Sequence, residues 1–221
     1  MRKAPAWIVA LLGAALGAQI AVQAARGAAR PAAERLPPAP RPEVLRLASL
    51  GENAAAARLV MLYLQGFDVR GLDYGRLTAW LRAALALDPR SAYPLFAAAR
   101  VFAETPDPAA SRVALEFIYQ EFTLDPDRRW PWLAHAALLA KHRLKDLPLA
   151  RRYAAAIDRQ TASRDVPLWA RQMEVFILED MNELEAARIV LGGLLEHGDI
   201  RDPNELRFLR QHLEELEKGV K

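Results

Sequence analysis

The chain has no cysteine among its 221 residues. That excludes disulfides, Cys-based zinc sites and thiol chemistry. Glycine is scarce, at 11 residues, which leaves little material for loops that cradle phosphates. The sequence contains no GxSxG, no phosphate loop and no GxGxxG. Beyond residue 42, Val, Ile and Thr are sparse and alanine dominates the apolar fraction. Strands favour β-branched residues and helices favour Ala, Leu, Arg and Glu, so the composition reads as all-α.

A basic face is also missing. Net charge is +3, but six of the 30 basic side chains and one of the 27 acids lie in residues 1–42. The remainder carries 24 basic against 26 acidic groups, a balance of −2. Phosphate recognition needs clustered Lys and Arg, so no nucleic-acid partner is expected. No cofactor or small-molecule substrate is expected either.

Residues 4–25, APAWIVALLGAALGAQIAVQAA, carry no charge at all. As a helix they would extend about 33 Å, enough for a hydrocarbon core of about 30 Å. Arg2 and Lys3 precede the stretch, Arg26 follows it, and Trp7 stands near one end, where interfacial aromatics belong. We read residues 1–27 as a signal-anchor helix. Two other readings compete. One is a cleaved signal peptide with Val22-Gln23-Ala24 as the small-residue site, although the apolar run exceeds the usual h-region. The other is an Ala-rich soluble helix diluted by Gly13, Gly17, Gln19 and Gln23. Arg2 and Lys3 favour a cytoplasmic amino end, whereas Arg26, Arg30, Arg35 and Arg41 pull the opposite way. A very short basic head is the usual form of a signal-anchor, so the expected placement is a bacterial inner membrane with the domain in the periplasm.

Five prolines in residues 31–42, PAAERLPPAPRP, make residues 28–42 an extended spacer. The competing reading is an irregular first turn of the domain that fills residues 43–221.

In that domain two segments match at a spacing of 37. Leu87-Asp88-Pro89 through Tyr93-Pro94 aligns with Leu124-Asp125-Pro126 through Trp130-Pro131, and Ala97 and Ala99 align with Ala134 and Ala136. Proline recurs at Pro167 and Pro203, each 36 residues on. A period of this size signals stacked helix pairs. Proline is tolerated in a first turn, so Pro94, Pro131, Pro167 and Pro203 are read as helix starts. The periodicity predicts helices over about 42–65 with a break at Gly51, then 73–87, 92–104, 108–123, 130–143, 146–161, 167–180, 182–197 and 203–218. Asp107, Asp146, Asp165, Asn182 and Asp202 are the expected N-caps.

The sets Leu95/Ala98/Ala99/Phe102, Trp132/His135/Ala136/Leu139 and Trp169/Gln172/Met173/Phe176 each share a helix face. They resemble the first helix of a tetratricopeptide repeat (TPR), in which a small residue lets two helices approach closely. The resemblance covers about residues 52–200. It departs from the family in its period of 36–37, in Met173 at a small-residue site, and in His135 and Gln172 at leucine sites. It implies a right-handed α-solenoid of about four helix pairs, with residues 203–218 as a capping helix that is polar on one side. It also implies that Tyr93, Phe96, Arg100, Trp130, Leu133 and Lys141 line a groove, and that Trp132 and Trp169 are buried.

Residues carrying chemistry are few. His135 and His142 share a face but lack the further ligands a metal needs, so no metal site is expected. Asp125, Asp127, Arg128 and Arg129 form a charged knot before Trp130. It reads as a partner-binding edge, or else as an inter-repeat turn. Glu104, Glu116 and Glu174 are the carboxylates an enzyme on this frame would need, and nothing in the sequence separates them from solvated surface. The expected function is therefore non-enzymatic: a membrane-anchored scaffold that binds envelope proteins through Tyr93, Phe96, Arg100, Arg129, Trp130 and Lys141. The alternatives are a structural subunit of a larger membrane complex, for which Gly13 and Gly17 offer a small-xxx-small pair, and an enzyme on an α-superhelical frame that acts on cell-wall glycan.

Overall fold

The computed structural model describes residues 13–19, 21–22, 36–198, 200 and 202–219. The chain divides into two compact units, Met1–Glu34 and Arg35–Lys221. In the first, residues 13–19 and 21–22 are helical. No helix among the described residues is long and apolar enough to cross a membrane. The rest of the expected anchor, the flanking charges and the first part of the spacer lie outside the described residues.

The second unit is all-α, with no strand among the described residues. Its helices are α1 (Pro42–Ala48), α2 (Asn53–Leu64), α3 (Tyr74–Leu87), α4 (Tyr93–Ala97), α5 (Pro108–Leu124), α6 (Pro126–His142), α7 (Leu147–Gln160), α8 (Leu168–Arg171), α9 (Met173–Asp180), α10 (Leu184–His197) and α11 (Pro203–Gly219). A short 3₁₀ turn, Val69–Gly71, precedes α3, and α4 runs on into a π turn, Ala98–Phe102, in which the Ala103 amide reaches back to the Ala98 carbonyl at 2.8 Å.

Local chemistry places most of these boundaries. Asp107 accepts the Ala109 amide at 2.9 Å, Asp146 the Leu149 amide at 3.0 Å, and Asp202 the Asn204 amide at 2.8 Å. Each satisfies one of the amides a helix start leaves unpaired. Two expected caps fall elsewhere. Pro167 rather than Asp165 precedes α8, and Glu183 precedes α10 because Asn182 takes a left-handed turn at φ 60°. Glycine is common at such a position and asparagine tolerates it.

Pro131 does not start a helix. α6 begins five residues earlier at Pro126, after a single extended linker residue, Asp125. Pro131 is accommodated inside the helix, where it removes one backbone hydrogen bond.

Alanine dictates how closely these helices pack. α6 and α7 form the most extensive helix pair, and the residues they bury include Ala136, Ala137, Ala140, Ala150 and Ala154. Fully buried Tyr153, Phe117, Phe122 and Ile118 fill the space around them. One core runs from Leu36 to Ile177, and a second gathers Val175, Leu178, Leu191, Leu194, Leu209 and Leu216 from α9 to α11. α9 serves both, since Met173 and Ile177 face the first core and Val175 and Leu178 the second.

The described end of the proline spacer belongs to the domain, which corrects the expected boundary at residue 42. Leu36 is 1 % exposed. Arg76 donates to its carbonyl at 2.8 Å, and the Trp80 indole N–H donates to the Pro37 carbonyl at 2.8 Å. Proline-rich chain offers carbonyls but few amides, so donors on α3 hold it.

Many of the longer-range polar contacts join residues about one proline interval apart. Arg82 donates to Gln120, Arg112 to Asp146, Arg143 to the Thr105 carbonyl and Arg152 to Glu116, at separations of 38, 34, 38 and 36 residues.

Candidate interaction surface

Aromatic residues of different helices meet in three groups. Tyr93 and Phe96 on α4 stack with ring centroids 6.2 Å apart, and Phe96 meets Trp132 of α6 edge-on at 5.9 Å. Trp130 of α6 meets Trp169 of α8 edge-on at 5.5 Å. Phe176 of α9 lies 5.7 Å from the His212 ring on α11, which stacks on Phe208 at 5.8 Å. Such arrangements suit the ring quadrupoles. They leave Tyr93, Phe96, Trp169, Phe176 and Phe208 exposed, with Trp130 and Trp132 half-buried.

Polar groups lie along the same helices. Gln65 donates to the Tyr93 hydroxyl at 2.6 Å. Arg100 lies 3.7 Å from the Glu104 carboxylate and 3.4 Å from His135 Nε2. Burial, and then the Arg100 charge, hold the His135 pKa below its ordinary 6.5, while Glu104 partly opposes them. Lys141 pairs with Asp180, and Glu179 with His212.

Of the six residues predicted to meet a partner, Tyr93, Phe96 and Arg100 are exposed together, and Trp130 and Lys141 are half-buried beside their neighbours on α8 and α9. Arg129 is the exception. It is 8 % exposed, donates to the Glu121 carbonyl at 2.7 Å and pairs with the buried Glu121 carboxylate at 3.0 Å. Arg82 approaches the same carboxylate at 3.5 Å. A charge that far inside needs a partner, and α5 supplies it. Within the charged knot, then, Arg129 is structural. Arg128 pairs with Asp125 at 2.7 Å and donates to the Pro89 carbonyl, while Asp127 pins the turn after α7.

Leu133, expected on the groove, is fully buried. Trp169, expected in the core, is 53 % exposed. α8 is a single turn that meets α9 at Gln172, and along this stretch Ala170, Gln172 and Met173 are buried while Trp169 and Phe176 are exposed. Phe208 and His212 went unrecognised because the last helix reads as a polar cap. The aromatic pair at i, i+4 in LRFLRQHLEEL was the available signal.

The carboxylates are separated by their settings. Glu104 and Glu116 pair with Arg100 and Arg152 on the surface. Glu174 is 2 % exposed and lines a groove of about 950 Å³ between the end of α7 and α10, together with Asp158, Arg159, Arg171 and His197. Its Oε1 is taken up by Arg151 at 3.2 Å and Arg159 at 3.6 Å. Among the described residues no group of three His, Asp or Glu stands close enough to hold a metal ion.

Comparison with family models, with curated proteins and with solved structures returns no match to this chain.

Proposed function

We propose that the chain is a membrane-anchored protein-interaction scaffold, and that the aromatic row on α4, α6, α8, α9 and α11 is where an envelope protein binds. The observation that carries this reading is the row itself. Rings of different helices meet at three places, Phe96 with Trp132, Trp130 with Trp169 and Phe176 with His212, and Phe96, Trp169 and Phe176 keep a face to solvent. Exposed Trp and Tyr with an adjacent Arg are the residue types that dominate binding hot spots. The helical part is read as a TPR-like right-handed solenoid of about four pairs closed by α11. The side-chain contacts spanning 34 to 38 residues support this, since each matches a step of one repeat. The anchor is residues 1–27, in a bacterial inner membrane, with the domain periplasmic.

Photocrosslinkers placed at Phe96 and at Trp169 in intact cells test the reading. The same adduct is expected from both, and none from Ile189, which is exposed on α10, a helix that contributes no ring to the row. Absence of any adduct at the two row positions, or an equal yield at Ile189, removes the proposal.

The alternative is a structural subunit of a larger membrane complex, for which Gly13 and Gly17 supply a small-xxx-small pair. The enzyme reading has the buried Glu174 in its groove, but two guanidinium groups occupy the same carboxylate oxygen, which is the arrangement of an ion pair.

A further inference from the structure

The first two helices of the domain are apolar on the outside. α2, NAAAARLVMLYL, carries one charge, Arg58. Its inner face buries Ala57, Val60, Met61 and Leu64, and its outer face leaves Leu59 and Leu62 more than 60 % exposed. A helix that is apolar all round is ordinarily covered on both sides. α1 adds Val44 and Leu47, at 55 % and 79 %. At the turn between them Leu50 is 93 % exposed and held at φ 50°. That is a left-handed conformation which leucine rarely adopts, so the turn spends backbone energy to present an apolar tip. Between the helices runs an apolar groove of about 500 Å³, walled by Leu45, Ala48, Ala56, Leu59, Tyr63 and Trp80. The last helix is built the other way, with Arg207, Arg210, Gln211, Glu214 and Lys218 facing water.

We propose that the outer face of α1 and α2 rests in the interfacial layer of the membrane that holds residues 4–25. This rests on the anchor reading above. The occupant follows from where the chain enters the domain. Trp80, which walls the groove and lies 5.2 Å from the Tyr63 ring, also binds the Pro37 carbonyl. The tether and the apolar face therefore share one side chain. From Ala25 to Leu36 the chain has eleven steps and can span no more than about 40 Å, roughly one bilayer thickness. A tether of that length can bring the face to lipid. Its composition suits that layer: Leu50 at a strained tip, Leu59 and Leu62 on a helix face, and the exposed Tyr63, an aromatic type found at the headgroup level. Arg41, Arg46 and Arg58 nearly balance Glu43 and Glu52, so the attraction is apolar and needs no anionic lipid.

The chain's lack of cysteine makes the test direct. The full chain is reconstituted in vesicles of phosphatidylcholine and phosphatidylglycerol, with an environment-sensitive fluorophore attached through Leu50→Cys, Leu59→Cys or the control Ile189→Cys. Each replaces an exposed side chain, and thermal melting checks that the fold is kept. Quenching by headgroup-level spin-labelled lipid is expected to be at least about three-fold greater at Leu50 and Leu59 than at Ile189, with the reverse order for aqueous iodide. Resistance to alkaline carbonate extraction is measured on the same samples. If the chain stays in the vesicles while iodide reaches Leu59 as readily as Ile189, this proposal falls and the anchor stands. If carbonate releases the chain, the anchor reading falls and takes this one with it. Exclusion of both quenchers, with disulfide-linked dimers formed on oxidation of the unlabelled Leu59→Cys chain, assigns the face to a second copy and overturns the proposal.

Discussion

Asp127 and Ser163 stand 36 residues apart, and the Asp127 carboxylate joins them. Its Oδ1 accepts the Ser163 amide at 2.7 Å and the neighbouring Ala162 amide, also at 2.7 Å. The turn after α7 is thereby fixed to the first turn of α6. Without this contact two backbone donors in an irregular turn would have to find water. Asp127→Ala is expected to lower stability by about 1–2 kcal/mol, the usual worth of hydrogen bonds to a charged acceptor. Asp127→Asn, which keeps an acceptor, should recover part of it. Urea denaturation followed by circular dichroism reads both. An unchanged midpoint for the alanine variant would mean the turn is held by other contacts.

The buried pair of Arg129 and Glu121 leads to a second expectation. Removing one partner strands a buried charge, so Arg129→Ala should cost about 3 kcal/mol or more, even with Arg82 nearby. Replacing both, as Arg129→Met with Glu121→Leu, should be far milder than the single change. A double variant as unstable as the single would show that the pair's charge is not what the site requires.

His135 makes stability depend on pH in a defined direction. Folding favours its neutral form, because burial and Arg100 both disfavour the charge. The unfolded chain therefore binds more protons just below its ordinary value of 6.5, and stability falls as pH drops through and below that value. His135→Leu should flatten this part of the profile and leave stability near pH 8 little changed. Denaturation midpoints between about pH 5 and 8 decide it. A parent profile that is flat, or that rises toward acid, contradicts the argument.

Trp169 separates binding from stability. It is half in solvent and touches Trp130 by its edge. Trp169→Ala should cost about 1 kcal/mol or less, the worth of one aromatic pair. It should still abolish the adduct formed from a crosslinker at Phe96. Retained crosslinking at normal yield would place the partner elsewhere on the surface.

What the sequence determined by itself is local. Alanine-rich, proline-punctuated composition specified helices, and Asp107, Asp146 and Asp202 opened three of them, because caps and proline act within one turn of their own position. Leu95, Ala98, Ala99 and Phe102 are buried together as their period requires. The tertiary structure decided what depends on which side chains of neighbouring segments meet. Arg129 went inside because Glu121 was there to receive it. Trp169 went outside to meet the edge of Trp130, while Met173 of the same expected face is buried. Leu36 was drawn into the core because Arg76 and Trp80 could hold the proline segment by its carbonyls. Burial and pairing are properties of distant chain segments in contact, and a one-dimensional pattern carries no record of which donor or carboxylate will be waiting.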